Sequence, residues 1–446
     1  MYLCILGRQP KISLAELESL FGSTNVTPIS PNLATVDTSH LDLDRLGGTI
    51  KAGQILDTPP IDHLRTLPKG KLTIGISDYR TKATAHTAAH EAIKLKGILK
   101  RHGYSVRTIP NTTAILSTAT SHHNHLGNSP NKIELIYFEG GTALSTGTQN
   151  ITAYAKRDQA RPARDARVGM LPPKLAQILI NLAIGQLKIQ HSPTPPHCHS
   201  EASAEESTLR ILDPFCGTGT ILQETILMGY SAYGTDLDPR MINFSQRNLD
   251  WLLGNTALQR KSGLIVFEDI RQAEVTNHNT HSPQRVGCPA SLVRSSEDET
   301  ECCDFDIARG RGSQKPLTQI FRLDTADATT FTWQQPIDAL ATETYLGQPF
   351  SAPPADLKLK QVQQTVKHII LSFLKNIHPQ ISKNTPLALT IPAWKRMDGT
   401  FSHLNILDEI QRLGYNVVKF QHTTQSDLLY YRENQIVARE IIVLTK

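Results

Sequence analysis

No apolar run in the 446-residue sequence approaches the roughly 20 residues that a bilayer-crossing helix needs, so no membrane-spanning helix is expected. Cysteine is sparse and without pattern. Cys4, Cys198, Cys216, Cys288, Cys302 and Cys303 form neither a disulfide framework nor a C-x-x-C zinc spacing, and no metal is expected. The histidines at 122, 123 and 125, and those flanking Cys198, lie in polar, turn-rich segments that predict solvated loops. The opening MYLCILGRQP has a short apolar run and no basic leader, which predicts a first strand instead of a signal peptide and a cytoplasmic protein. Neither sign of charge dominates. With a formal charge of only +5, nucleic-acid binding can be argued only from where cations cluster.

The length exceeds what one hydrophobic core holds, which predicts two domains. Residues 190–208 and 271–316 lack apolar periodicity and are rich in Ser, Pro, Gly and charge, so a flexible linker and a disordered insertion are expected there. Strands are expected on either side of the insertion, at 263–267 and 319–323. Before residue 169 the pattern is that of a small α+β domain. It has a strand at 2–6, a helix at 13–22 opened by a Ser13/Glu16 capping box, a strand at 71–77, and a helix at 86–101 with Ile93, Leu95, Ile98 and Leu99 inward. Further strands are expected at 105–109, 113–117 and 132–139. Pro172 and Pro173 open a connecting helix within 169–189. From Leu209 onward strand and helix alternate, the pattern of a mostly parallel sheet covered on both faces. The last two strand candidates, 428–432 and 436–444, are close enough to form a terminal antiparallel hairpin.

The strongest motif is DPFCGTGT, residues 213–220, at a strand-to-helix passage, followed 23 positions after Asp213 by Asp236 at the next strand end. Gly217 and Gly219 let backbone approach a ligand, the following helix offers free N–H groups, and an acid after the second strand can bind ribose hydroxyls. The loop has neither the G-x-G-x-x-G spacing of dinucleotide enzymes nor the G-K-S or G-K-T of a P-loop.

These residues resemble the THUMP-domain class I tRNA methyltransferases, specifically the archaeal and eukaryotic enzymes that methylate N2 of guanosine 10. DPFCGTGTILQE and YGTDLDPRMI are similar to that family's first two cofactor motifs, residues 154–183 to its connecting segment, and residues 1–22 to its amino terminus. The resemblance implies an α/β, Rossmann-like class I methyltransferase domain at 209–446, preceded by a THUMP-like RNA-binding region at 1–168. It implies S-adenosylmethionine as cofactor, held by Asp213, Pro214, Cys216, Gly217, Gly219 and Asp236, with Asp327 meeting the adenine. It further implies tRNA or another structured RNA as substrate, and for the eukaryotic members a small activating subunit.

The catalytic motif departs from the family, in which an acid or Asn precedes two prolines, an aromatic and a glycine. Here Glu343, Thr344, Tyr345, Leu346 and Gly347 occupy the stretch, with both prolines missing and the aromatic one position early. Glu343 and the carbonyl of Thr344 can accept the protons of an exocyclic amino group, and Tyr345 can stack the base, a contact worth about 1–3 kcal/mol. RNA contacts are expected from Lys156, Arg157, Arg161, Arg164 and Arg167, which with Asp158 and Asp165 give a local charge of +3, and from Lys395 and Arg396 after a strand. Two rivals stay open: a DNA amino-methyltransferase acting on adenine N6 or cytosine N4, and a non-catalytic RNA-binding or cofactor-sensing protein of the same fold.

Overall fold

A computed structural model describes residues 1–165, 170–191, 209–254, 260–261, 264–265, 320–433 and 435–446. The expected linker 190–208 falls almost wholly outside these residues, and the insertion 271–316 and Arg167 entirely so.

The amino-terminal half forms one eight-stranded sheet. Its elements in chain order are β1 (Tyr2–Leu6), α1 (Pro10–Phe21), β2 (Val26–Ser30), β3 (Leu33–Val36), β4 (Thr49–Ile55), α2 (Pro60–Thr66), β5 (Lys71–Asp78), α3 (Ala85–Arg101), β6 (Ser105–Thr108), α4 (Thr118–His123), β7 (Lys132–Phe138), β8 (Gly141–Thr148) and α5 (Ile151–Gln159). The strand order is β2-β3-β1-β4-β8-β7-β5-β6. Three expectations change here. Helix α1 begins at Pro10, so Ser13 and Glu16 are not caps but buried interior residues. The Ser13 hydroxyl donates to the carbonyl of Gly48 at 2.9 Å, and Glu16 accepts from the amides of Gly47 and Gly48. The buried face of α3 is Ala88, Ala92, Leu95 and Leu99, while Ile93 is 66% exposed. Residues 113–117 are not a strand, because β5 already pairs with β6 on one side and β7 on the other, and Leu116 instead packs with Ile109 and Leu126.

Helix α6 (Pro173–His191) leads to the second sheet. There follow β9 (Arg210–Asp213), α7 (Thr220–Leu227), β10 (Ser231–Asp236), α8 (Pro239–Gly254), a small hairpin of β11 (Arg260–Lys261) and β12 (Leu264–Ile265), then β13 (Phe321–Thr325) and β14 (Ala339–Glu343). The chain ends with α9 (Asp356–Ile377), β15 (Pro386–Lys395), β16 (Phe401–Ser402), α10 (Leu407–Arg412), β17 (Asn416–Val417), β18 (Leu429–Tyr430) and β19 (Val437–Thr445). The order β13-β10-β9-β14-β15-β19-β17 is parallel through β15. The final strand β19 does not simply extend the edge. It inserts antiparallel between β15 and β17, in register from Pro386↔Thr445 to Trp394↔Val437, and pairs the two-residue β18 as well.

A parallel strand covered on both faces needs apolar residues without alternation, and in β15 every residue from Pro386 to Trp394 is buried. On one face α9 packs Val366, Ile370, Phe373 and Ile377 against Leu340, Leu387, Leu389 and Leu444. On the other, α6 packs Leu175, Leu179 and Leu182 against Ala339, Ala341, Ala388 and Ile441. Truncating such a fully buried leucine to alanine costs about 2–5 kcal/mol. Ile12 and Ala15 of α1 join the same cluster, so α6 is more than a connection: it is the layer through which the first half is fused to the second sheet. Polar bonds lock that seam. Asn181 donates to Glu16 at 2.7 Å, and the amide of His422 donates to Glu18 at 3.0 Å.

Candidate active site

The parallel strands β9, β10, β13 and β14 end at one edge, and there the sequence placed its chemistry. Between β9 and α7 the chain must reverse within six residues. Gly217 (φ +52) and Gly219 (φ +79) adopt left-handed backbone that other residues resist. The loop is fastened from three sides. The amide of Gly217 donates to Asp236 at 2.9 Å, its carbonyl accepts from Ser245 at 2.8 Å, and the carbonyl of Thr218 accepts from Asn248 at 2.8 Å. A Cβ on Gly219 would lie 2.9 Å from the Ser245 hydroxyl, whereas one on Gly217 would meet nothing within 4 Å. The backbone at Gly217 therefore borders open space, as a loop built for close approach of a ligand should.

The two acids divide the work. Asp213 is buried beneath the loop, accepts from the Thr342 hydroxyl at 2.6 Å, and has its pKa pushed up to about 8 by burial. It fastens the loop from within, while Pro214 and Cys216 are likewise buried and shape it. Asp236 is half-buried at the tip of β10, accepting also from the amide of Asp238 at 3.0 Å, and burial raises its pKa against those two bonds. Beside it Leu237 is 70% exposed, a large apolar face that sequence reasoning passed over. Asp327 stands on the same edge, since the amide of Ala326 donates to the carbonyl of Asp236 at 2.9 Å. One Asp327 oxygen turns back onto Thr329.

Glu343 ends β14, level with Thr390 of β15. Its carboxylate is ion-paired with Arg439, a buried residue of β19, and burial raises the Glu343 pKa against the pull of that guanidinium. Thr344 is tied down, its amide and hydroxyl both donating to the carbonyl of Thr390 at 3.1 and 2.8 Å. Tyr345 is 43% exposed, with its ring available to a planar partner. Trp394 is fully buried beside Gly347 and does not face a substrate. Lys395 and Arg396 follow at the strand end, and Arg396 is exposed.

The basic segment 156–167 is corrected most. Arg157 is buried, forks onto Glu224 of α7 at 2.6 and 3.2 Å, and lies over the Tyr154 ring. Arg161 is also buried and donates to Thr220 at the first turn of α7 at 2.5 Å. Ala163 exchanges backbone bonds with Asn248 at 2.9 Å in each direction. These residues clasp the glycine loop and its helix, so neither Arg157 nor Arg161 can contact RNA. Arg164 is exposed and Lys156 half-buried. A larger excess of cations lies elsewhere: residues 65–107 hold ten Lys and Arg against two carboxylates, and Arg65, Lys69, Lys71, Lys94, Lys100, Arg101 and Arg107 are exposed. That imbalance was visible in the sequence.

A parallel sheet with this strand order, an antiparallel strand set inside its last position, and a glycine loop and acidic pair on the carboxyl edge together define a class I methyltransferase fold. The family model described as RMKL-like, methyltransferase domain, matches residues 200–276. A tRNA (guanine(10)-N2)-dimethyltransferase of Methanothermobacter thermautotrophicus is 37% identical over 94 residues, a match that spans 21% of this chain and 22% of that relative. The first agrees with the methyltransferase domain expected from the motifs, and the second with the guanosine-10 N2 enzymes whose motifs these resemble. Among solved structures, TrmN from Thermus thermophilus aligns over 100% of this chain and 99% of its own, at 13% identity and a TM-score of 0.39. An rRNA methylase from Streptococcus thermophilus aligns over 54% of this chain and 88% of its own, at 14% identity and a TM-score of 0.26.

Proposed function

We propose that this protein transfers a methyl group from S-adenosylmethionine to the exocyclic N2 of a guanine in tRNA. The carrying observation is that one strand edge holds an open glycine loop, the Asp236 carboxylate and the Glu343 carboxylate. The chain's residues fit the cofactor. Backbone at Gly217 leaves room for it, Asp236 can accept from its ribose hydroxyls, and the exposed Leu237 offers an apolar face to its adenine. When bound, the cofactor supplies an electrophilic methyl on a sulfonium.

The rest of the task falls to the protein. An aromatic amine is a poor nucleophile because its lone pair is delocalised into the ring. Acceptors that hold its two protons turn the lone pair toward the methyl donor, and orientation of this kind can supply much of the rate. Glu343 and the carbonyl of Thr344 are those acceptors, and the half-exposed ring of Tyr345 is the stacking face for the extruded base. As the new N–C bond forms, the amine sheds a proton, for which the Glu343 carboxylate is the adjacent base. The exposed cations between Arg65 and Arg107 provide phosphate contacts of the kind that position RNA without reading its sequence.

The reading is tested by incubating the protein with methyl-labelled cofactor and unmodified bulk tRNA, then digesting the tRNA to nucleosides. Label in N2-methylguanosine is expected. Label in DNA adenine or cytosine would transfer the assignment to an amino-methyltransferase of DNA, and cofactor binding with no label in any nucleic acid would favour a non-catalytic binder.

A further inference from the structure

The stretch Glu343 to Gly347 contains no proline to fix its backbone. A carboxylate on a longer side chain, without that stiffening, needs some other restraint. The structure supplies one from an unexpected element. Arg439 is the third residue of β19, opposite Pro392 of β15 and Tyr430 of β18. Its side chain crosses β15 to reach the end of β14, where its Nε donates to one Glu343 oxygen. Because β19 runs antiparallel, its beginning lies at the edge where β14 and β15 end, so a residue late in the sequence returns to the site.

We propose that Arg439 is a positioning residue for methyl transfer: it holds one oxygen of Glu343 and leaves the other for the amino group of the target base. This rests on the function proposed above. Removal of the guanidinium would act in two ways. The Glu343 side chain would lose its fixed rotamer, and its carboxylate would lose the charge that opposes burial. The other groups facing it cannot replace that charge. From β9, Asp213 is itself acidic and its pKa is raised in part by Glu343, while from β15 Thr390 is neutral. Glu343 would then hold its proton to higher pH than in the parent and be a weaker acceptor.

The test compares Arg439→Gln and Arg439→Lys with the parent, measuring kcat for tRNA methylation across pH and cofactor affinity by calorimetry. In Arg439→Gln, kcat near pH 7 is expected to fall at least about tenfold. The acid limb of its pH profile should move up by about one unit or more, so that activity partly recovers at high pH, with cofactor affinity unchanged. Arg439→Lys should keep the limb near its parental position. A loss of rate equal at every pH, or a parental profile in Arg439→Gln, would overturn the proposal. A second readout needs no turnover. Infrared difference spectra against the parent, taken across pH, should show an added protonated-carboxyl band that persists to higher pH in Arg439→Gln and is lost in the Arg439→Gln/Glu343→Gln double variant. Absence of that added band in Arg439→Gln would defeat the positioning role on its own terms, whereas an inactive parent, with the band still gained in Arg439→Gln, would count against the proposed substrate and leave the pairing intact.

Discussion

Replacement of Arg157 by methionine separates the two accounts of the basic segment. Arg157 and Glu224 are both buried, at 7% and 1% exposure, and joined by two hydrogen bonds. Removing one member of a buried pair strands the other, at a cost of about 3–5 kcal/mol. In a protein of this size that loss should lower the thermal midpoint by roughly 3–5 °C. The deficit should also depend on pH, and its sign is fixed. Burial already raises the Glu224 pKa above 4.5, with Arg157 opposing, so without Arg157 it rises further. Between the unfolded and the folded pKa the unfolded chain binds fewer protons, and stability falls as pH rises, by up to about 1.4 kcal/mol per unit. The midpoint deficit should therefore be smaller at pH 5 than at pH 8. Arg157→Met combined with Glu224→Leu, which removes both charges, should recover most of the stability. A surface cation awaiting RNA would behave otherwise, its loss costing under about 0.5 kcal/mol at either pH. Differential scanning calorimetry of the two variants at both pH values decides it, and a parental midpoint for Arg157→Met at pH 8 would refute the clasp.

The two loop glycines should respond differently to alanine. Gly219→Ala puts a Cβ against Ser245 in left-handed backbone, so the unliganded protein should lose stability by about 1–3 kcal/mol in urea titrations. Gly217→Ala shares the left-handed backbone strain, about 1–2 kcal/mol, but meets no atom, so it should cost less stability than Gly219→Ala and add at least about a tenfold loss of cofactor affinity by calorimetry. At the seam between the two halves, Glu16→Gln turns an acceptor into a donor against the amides of Gly47 and Gly48 or the amide of Asn181. It should cost about 1–3 kcal/mol in the same urea titrations, and an unchanged midpoint would count against the seam.

The methyltransferase half was largely legible because its signals are local. DPFCGTGT and the acid at Asp236 each report their own backbone conformation, and strand and helix alternate around them. What stayed hidden depends on contacts between residues far apart in sequence. Ser13 and Glu16 have capping-box spacing, yet a helix start depends on where Pro10 lies, and their true partners are the Gly47–Gly48 turn and Asn181. Arg157 and Arg161 look like surface cations until α7 brings Glu224 and Thr220 to them. Strands β2, β3 and β4 carry no period-2 signal of their own: β2 buries only Val26, β3 buries all four of its residues, and β4 buries Thr49 and Lys51 beside Ala52 and Gly53. The partner of Glu343 lies 96 residues away on a strand whose place in the sheet no local pattern reveals.

The most direct test of the central claim is single-turnover methylation of tRNA by the parent and by Glu343→Gln, with cofactor affinity measured in parallel. The account predicts N2-methylguanosine from the parent, a loss of rate of at least about a hundredfold in the variant, and equal cofactor affinity in both. Methylation by Glu343→Gln at the parental rate would contradict it.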